Sequence, residues 1–121
     1  MLHIGTGKKT LAMMVIPVAI ALAGMSAGAR AADIDADAAN ALAKKNDCFK
    51  CHAIDKTKKG PSYKKVAAKY KGKPDGVEKL IKNFTTGPKV KLEDGTEEEH
   101  KIIDTKDPKA LNNLANWILS L

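Results

Sequence analysis

Cys48-Phe49-Lys50-Cys51-His52 is the stretch that decides how the rest of the chain is read. It holds both cysteines of the 121-residue sequence and one of its three histidines. Two thiols three positions apart, with an imidazole directly behind them, suit several chemistries. A buried structural pair fits poorly, because Lys50 lies inside the pentapeptide and Lys44 and Lys45 just ahead of it. A thiol–disulfide redox pair calls for a βαβ setting, and no alternating strand pattern is visible on either side. A zinc site needs further cysteine or histidine at ligand spacing, and beyond the first 31 residues only His100 is available.

Covalent haem attachment suits the spacing best. Two thiols a short turn apart add to the two vinyl groups of one haem, and the adjoining His52 lies beneath the iron and supplies its proximal nitrogen. One haem c, bound through Cys48 and Cys51, is the expected cofactor.

Upstream of the motif the sequence changes character. Lys8 and Lys9 precede an apolar run without charge, Leu11 to Met25, and Ala29-Arg30-Ala31 follows as a small-x-small triplet. A basic start, an apolar middle and small residues at the end make a secretory signal peptide. As an uncleaved anchor the run is too short, with Pro17 inside it, against the roughly 20 apolar residues that span a bilayer. Residues 1–31 are therefore expected to be removed after export, leaving residues 32–121 as the mature domain in the periplasm, with no membrane span.

Cleavage changes the composition that matters. Net charge falls from +7 to +4, and Met1, Met13, Met14 and Met25 all leave. Residues 32–121 contain no methionine, and their histidines are His52 and His100. At this length one domain is the ceiling, and two cysteines are too few for a disulfide scaffold. With 29% charged and 44% apolar residues the composition is globular, neither disordered nor that of a multi-span membrane protein. Five aromatics are few for a core this small, which fits a porphyrin at its centre.

The segments around the motif read as all-α. Asp33, Asp35 and Asp37 suit the positive end of a helix over Ala36 to Asn46. A second helix starts from Ser62, with Tyr63, Val66, Ala67 and Tyr70 at helical spacing and Gly72 as its stop. A third is expected from about Pro74 to Phe84, burying Val77, Leu80, Ile81 and Phe84. The last has Asp107 as N-cap and Pro108 at the first position, with Leu111, Leu114, Ala115, Ile118 and Leu119 as its buried stripe. Thr85 to Lys106 is expected to be a charged loop.

The residues from Lys45 to Asp55, then Lys59-Gly60-Pro61-Ser62-Tyr63, Val66-Ala67-Ala68-Lys69-Tyr70 and the closing Leu114-Ala115-Asn116-Trp117-Ile118-Leu119-Ser120, resemble the small bacterial class I cytochromes c. The resemblance covers essentially all of residues 32–121 and implies about four short helices around one covalent haem, with the first and last crossing. The family usually sets an aromatic on the first helix at that crossing, where this chain has Leu42 and Ala43, so Trp117 is expected to fill more of the contact. It implies that Cys48 and Cys51 are the thioether residues, that His52 is the proximal ligand, and that Pro61 lies where a backbone carbonyl orients the other imidazole nitrogen.

At the sixth position the chain departs from the family, whose distal ligand is a methionine in the loop before the last helix. The candidates are His100, a lysine, water or an open position. His100 is the one expected, because it falls in that loop and is the second histidine of residues 32–121. Ile102 and Ile103 behind it are expected to pack the loop against the haem.

The expected function is that of a periplasmic one-electron carrier between respiratory redox proteins, not an enzyme, and monomeric. No acid–base dyad, nucleophile triad or phosphate loop contradicts that. The alternative is a haem sensor or small-ligand binder with a displaceable sixth ligand. Lys44 to Lys91 holds 15 lysines against four acids. That basic half is either a docking face for an acidic redox partner or a solvated surface. Nucleic acid is a poor partner for an exported chain without an aromatic–basic binding motif.

Overall fold

The first helix, α1 (Ala36–Lys45), begins where the Asp35 carboxylate accepts the Ala38 N–H. It ends at Asn46, which caps it, so Asn46 is the boundary rather than the last turn. The computed structural model describes residues 33–121, and the expected export signal lies outside them. One turn of 3-10 helix, Cys48–Lys50, follows α1 directly.

The other helices are set by similarly local chemistry. Ser62 caps α2 (Tyr63–Tyr70) by accepting the Lys65 N–H at 3.1 Å. Asp107 caps α4 (Pro108–Leu119), with Pro108 in the first turn, where its missing N–H costs nothing. The third helix, α3 (Gly76–Thr86), starts and ends two residues later than its apolar spacing suggests. Pro74 and Asp75 are spent in a turn that returns the Gly76 N–H to the Lys73 carbonyl. At the other end the left-handed Gly87 closes α3 on the Asn83 carbonyl.

The charged stretch after α3 is not all loop. Lys89–Lys91 (β1) pairs antiparallel with Glu97–Glu99 (β2), Lys89 opposite Glu99 and Lys91 opposite Glu97. The turn between them is held by Asp94, which accepts both the N–H and the hydroxyl of Thr96, and by Gly95 at φ 86°. Opposite charges face each other across this hairpin. It buries no apolar face, so its sequence has no alternation to betray it. Among the described residues the architecture is nevertheless four α-helices with little strand.

The core forms where α4 meets α1, α2 and α3. At its crossing with α1, Ala39, Ala43 and Ala115 are all 0% exposed. Three side chains of one carbon each let the two backbones approach closely. A two-way clasp locks the crossing: Asn113 accepts the Asp35 N–H at 2.9 Å and donates to the Asp35 carbonyl at 2.8 Å. Trp117 is buried and turns its ring edge-on to Tyr63 of α2, with centres 5.8 Å apart. Among the described residues, Leu114 is the one large side chain that is fully buried. Leu119, expected in the buried stripe, is only half-buried.

Candidate haem site

The site begins with an unusual backbone conformation. Asp47 adopts φ 57°, a left-handed geometry that Asp tolerates better than most residues, and turns the chain out of α1. The Cys48 carbonyl then accepts the N–H of Cys51 at 3.2 Å and of His52 at 2.9 Å. One tight turn thus gathers both cysteines and the histidine. Both cysteines are half-buried, and burial pushes the Cys48 thiol up from its ordinary value.

His52 is oriented by the segment that leads to α2. Its Nδ1 lies 2.6 Å from the Pro61 carbonyl oxygen. A carbonyl can only accept, so Nδ1 carries the proton and Nε2 keeps a free lone pair. Gly60 makes this approach possible, because a Cβ there would lie 2.9 Å from His52 Cε1. The Gly60 N–H is itself held by the Cys51 carbonyl at 2.8 Å, and Tyr63 stacks on the imidazole with centres 5.1 Å apart. Burial lowers the His52 pKa; the Pro61 carbonyl works against that shift and nearby His100 adds to it. An unprotonated Nε2 is the form that binds a metal.

His100 follows β2. Its N–H donates to the Pro88 carbonyl and its Nδ1 to the Lys101 carbonyl, both at 2.9 Å. This ring too keeps Nε2 free. The His52 and His100 rings have centres 6.1 Å apart and planes tilted by 42°. Of the two isoleucines expected to pack the loop inward, Ile103 is buried and donates its N–H to the Phe84 carbonyl. Ile102 is instead 55% exposed, because consecutive side chains of an extended segment point opposite ways.

All five residues singled out in the sequence, Cys48, Cys51, His52, Pro61 and His100, are therefore gathered at one place. Three further residues shape the site without having been marked. Tyr63 stands both in the helical stripe of α2 and in the stretch that carries the resemblance, and here it stacks on His52. Gly87 brings the end of α3 so close to the His100 loop that a Cβ would lie 2.7 Å from the His100 carbonyl oxygen. Asn46, 3% exposed, reaches the same loop through Asp104. A polar residue closing a helix two positions before Cys48 was the available signal for it.

Two thiols and a carbonyl-oriented imidazole on one tight turn, in a four-helix frame, define a c-type cytochrome. The comparisons agree. Residues 36–121 match the cytochrome c family, and the chain belongs to it. Cytochrome c-552 of Nitrosomonas europaea is 37% identical, over 74% of this chain and 81% of that one. Cytochrome c-551 of Pseudomonas denitrificans is 32% identical, over 66% and 93%. Among solved structures, the class 1 cytochrome MtoD from Sideroxydans lithotrophicus ES-1 is 59% identical, with a TM-score of 0.69 over 72% of this chain and 96% of that one. This is a small class I cytochrome c and an electron carrier with covalent haem c, and Cys48, Cys51 and His52 stand in the attachment pattern.

Proposed function

We propose that this chain is exported, loses residues 1–31, and works in the periplasm as a monomeric one-electron carrier whose iron is held by His52 and His100. One observation supports the ligation: the two imidazoles have centres 6.1 Å apart, tilted by 42°, each with Nδ1 satisfied by a carbonyl. A metal–imidazole bond is about 2 Å. With the ring centre about 1 Å beyond the nitrogen, two imidazoles that share one ion have centres at most about 6 Å apart, so these two rings would both be within reach of a metal. Cys48 and Cys51 are the thioether residues, and Pro61 fixes the ring of His52.

When bound, the haem supplies the redox centre, accepting and releasing one electron. The chain's own work is to orient the imidazoles, exclude water and present the site to partners. A methionine ligand raises the potential of such centres, and residues 32–121 have none. The potential is therefore expected to lie below that of a methionine-ligated relative. Exposed Lys50, Lys56, Lys58 and Lys59 border the attachment turn and suit an acidic redox partner. Among the described residues, no helix is long and apolar enough to cross a membrane.

The test is a potentiometric titration of the haem-loaded protein, with carbon monoxide added to its reduced form. A reversible one-electron wave and a spectrum that carbon monoxide leaves unchanged over minutes are expected. Immediate carbon monoxide binding would make the chain a ligand-binding haem protein instead.

A further inference from the structure

The loop that carries His100 is fastened to the body of the protein at three backbone positions. The His100 N–H meets the Pro88 carbonyl at 2.9 Å, and the Ile103 N–H meets the Phe84 carbonyl at 2.8 Å. Both of these ties run to the end of α3. The third ties the loop to the attachment segment itself: the Asp104 N–H donates to Asn46 Oδ1 at 2.7 Å, across 58 positions of sequence.

Asn46 is built for this. It is 3% exposed, and its Nδ2 donates to the Leu42 carbonyl at 3.0 Å, so the amide is held at both ends and its orientation is fixed. Asp47, its neighbour, also reaches the loop through Lys101 at 2.9 Å, but those side chains are 42% and 57% exposed. An exposed ion pair contributes little and fades with salt. The Asn46–Asp104 hydrogen bond is part-buried and uncharged on the Asn46 side, so salt does not screen it, and its loss leaves the Asp104 N–H without this partner.

We infer that Asn46 is a positioning residue for the sixth ligand: by tying Asp104 to the segment that carries Cys48, it sets how readily His100 leaves the iron. This rests on His100 being that ligand. The same side chain closes α1 and holds the loop, so movement of the distal loop is resisted from the proximal side.

The experiment is an imidazole titration of the oxidised, haem-loaded protein, followed by its visible spectrum. Imidazole enters only when His100 has left, so its apparent affinity reports the fraction of open loop. Asn46→Ala is expected to raise that affinity about tenfold. Asn46→Asp keeps an oxygen facing the Asp104 N–H but sets a second acceptor against the Leu42 carbonyl, so it is expected to fall between the parent and Asn46→Ala. If Asn46→Ala yields too little haem-loaded protein, Asn46→Ser, whose hydroxyl stops short of Asp104, takes its place with the same expectation.

A merely structural role is separated by repeating Asn46→Ala in a His100→Ala background. There is then no ligand left to release, so the affinity should change by less than about twofold. An equal rise in both backgrounds, or none in either, overturns the assignment of Asn46. If His100→Ala alone leaves imidazole affinity at the parent's value, the ligation reading fails first and the inference falls with it. If His100→Ala tightens imidazole binding while Asn46→Ala has no effect, only the assignment of Asn46 fails.

Discussion

The rings of His52 and His100 have centres 6.1 Å apart, yet the two are held by different means. His52 gives its Nδ1 proton to Pro61, nine residues away, on a segment tied back to Cys51 through Gly60. His100 gives its own to Lys101, the next residue, so its tautomer is fixed locally and its position is not. Its position depends on where Phe84, Pro88 and Asn46 hold the loop. The His52 imidazole is thus held firmly, and that of His100 is only as fixed as the anchors of its loop.

Gly87 and Gly95 separate the loop's position from its stability. Both are left-handed, at φ 59° and 86°, so an alanine costs about 1 to 2 kcal/mol in either place. Only at Gly87 would the new Cβ strike the His100 carbonyl, at 2.7 Å, and Ile102, at 2.9 Å; around Gly95 there is nothing within 4 Å. Gly87→Ala should lower Tm and give the oxidised protein a high-spin fraction. Gly95→Ala should lower Tm while the visible spectrum stays that of the parent.

Gly60→Ala tests the proximal side. Its Cβ would lie 2.9 Å from His52 Cε1, 3.2 Å from Nδ1 and 3.3 Å from the Cys51 carbonyl oxygen, so the ring or the backbone would have to shift. Overpacking of this kind costs about 1 to 3 kcal/mol, or very roughly 5 to 20 °C in Tm for a domain this small. The haem content per protein should also fall, measured by absorbance against total protein.

The ion pairs of Asp47 predict a modest acid dependence. Lys101, and after it Lys50, hold the Asp47 carboxyl below its ordinary value of 3.8. A carboxyl depressed in the folded state stabilises it while ionised, above the unfolded value, and loses that contribution as pH falls through the folded one. Asp47→Asn should therefore match the parent at neutral pH in high salt. In low salt it should show a shallower loss of Tm than the parent as pH drops below 3.8.

How far the sequence reached depended on how local each interaction is. Asp35, Ser62 and Asp107-Pro108 cap their helices within three residues, so the starts of α1, α2 and α4 were plain. The attachment pentapeptide is likewise self-contained. The hairpin was hidden because its register sets Lys89 and Lys91 opposite Glu99 and Glu97 and leaves no apolar face to read. The α3 boundaries shifted because Pro74 serves a turn rather than a first helical position. Asn46 and Asp104, 58 residues apart, meet only in the folded chain. The burial of Ile103 but not Ile102 depends on which side of the loop faces α3.

The central claim is that His100 would hold the haem iron together with His52, and electron paramagnetic resonance of the oxidised, haem-loaded protein tests it most directly, with His100→Ala alongside. A low-spin signal from the parent that becomes high-spin in His100→Ala is predicted. A parent already high-spin, or a His100→Ala variant with the parent's low-spin signal intact, contradicts the claim.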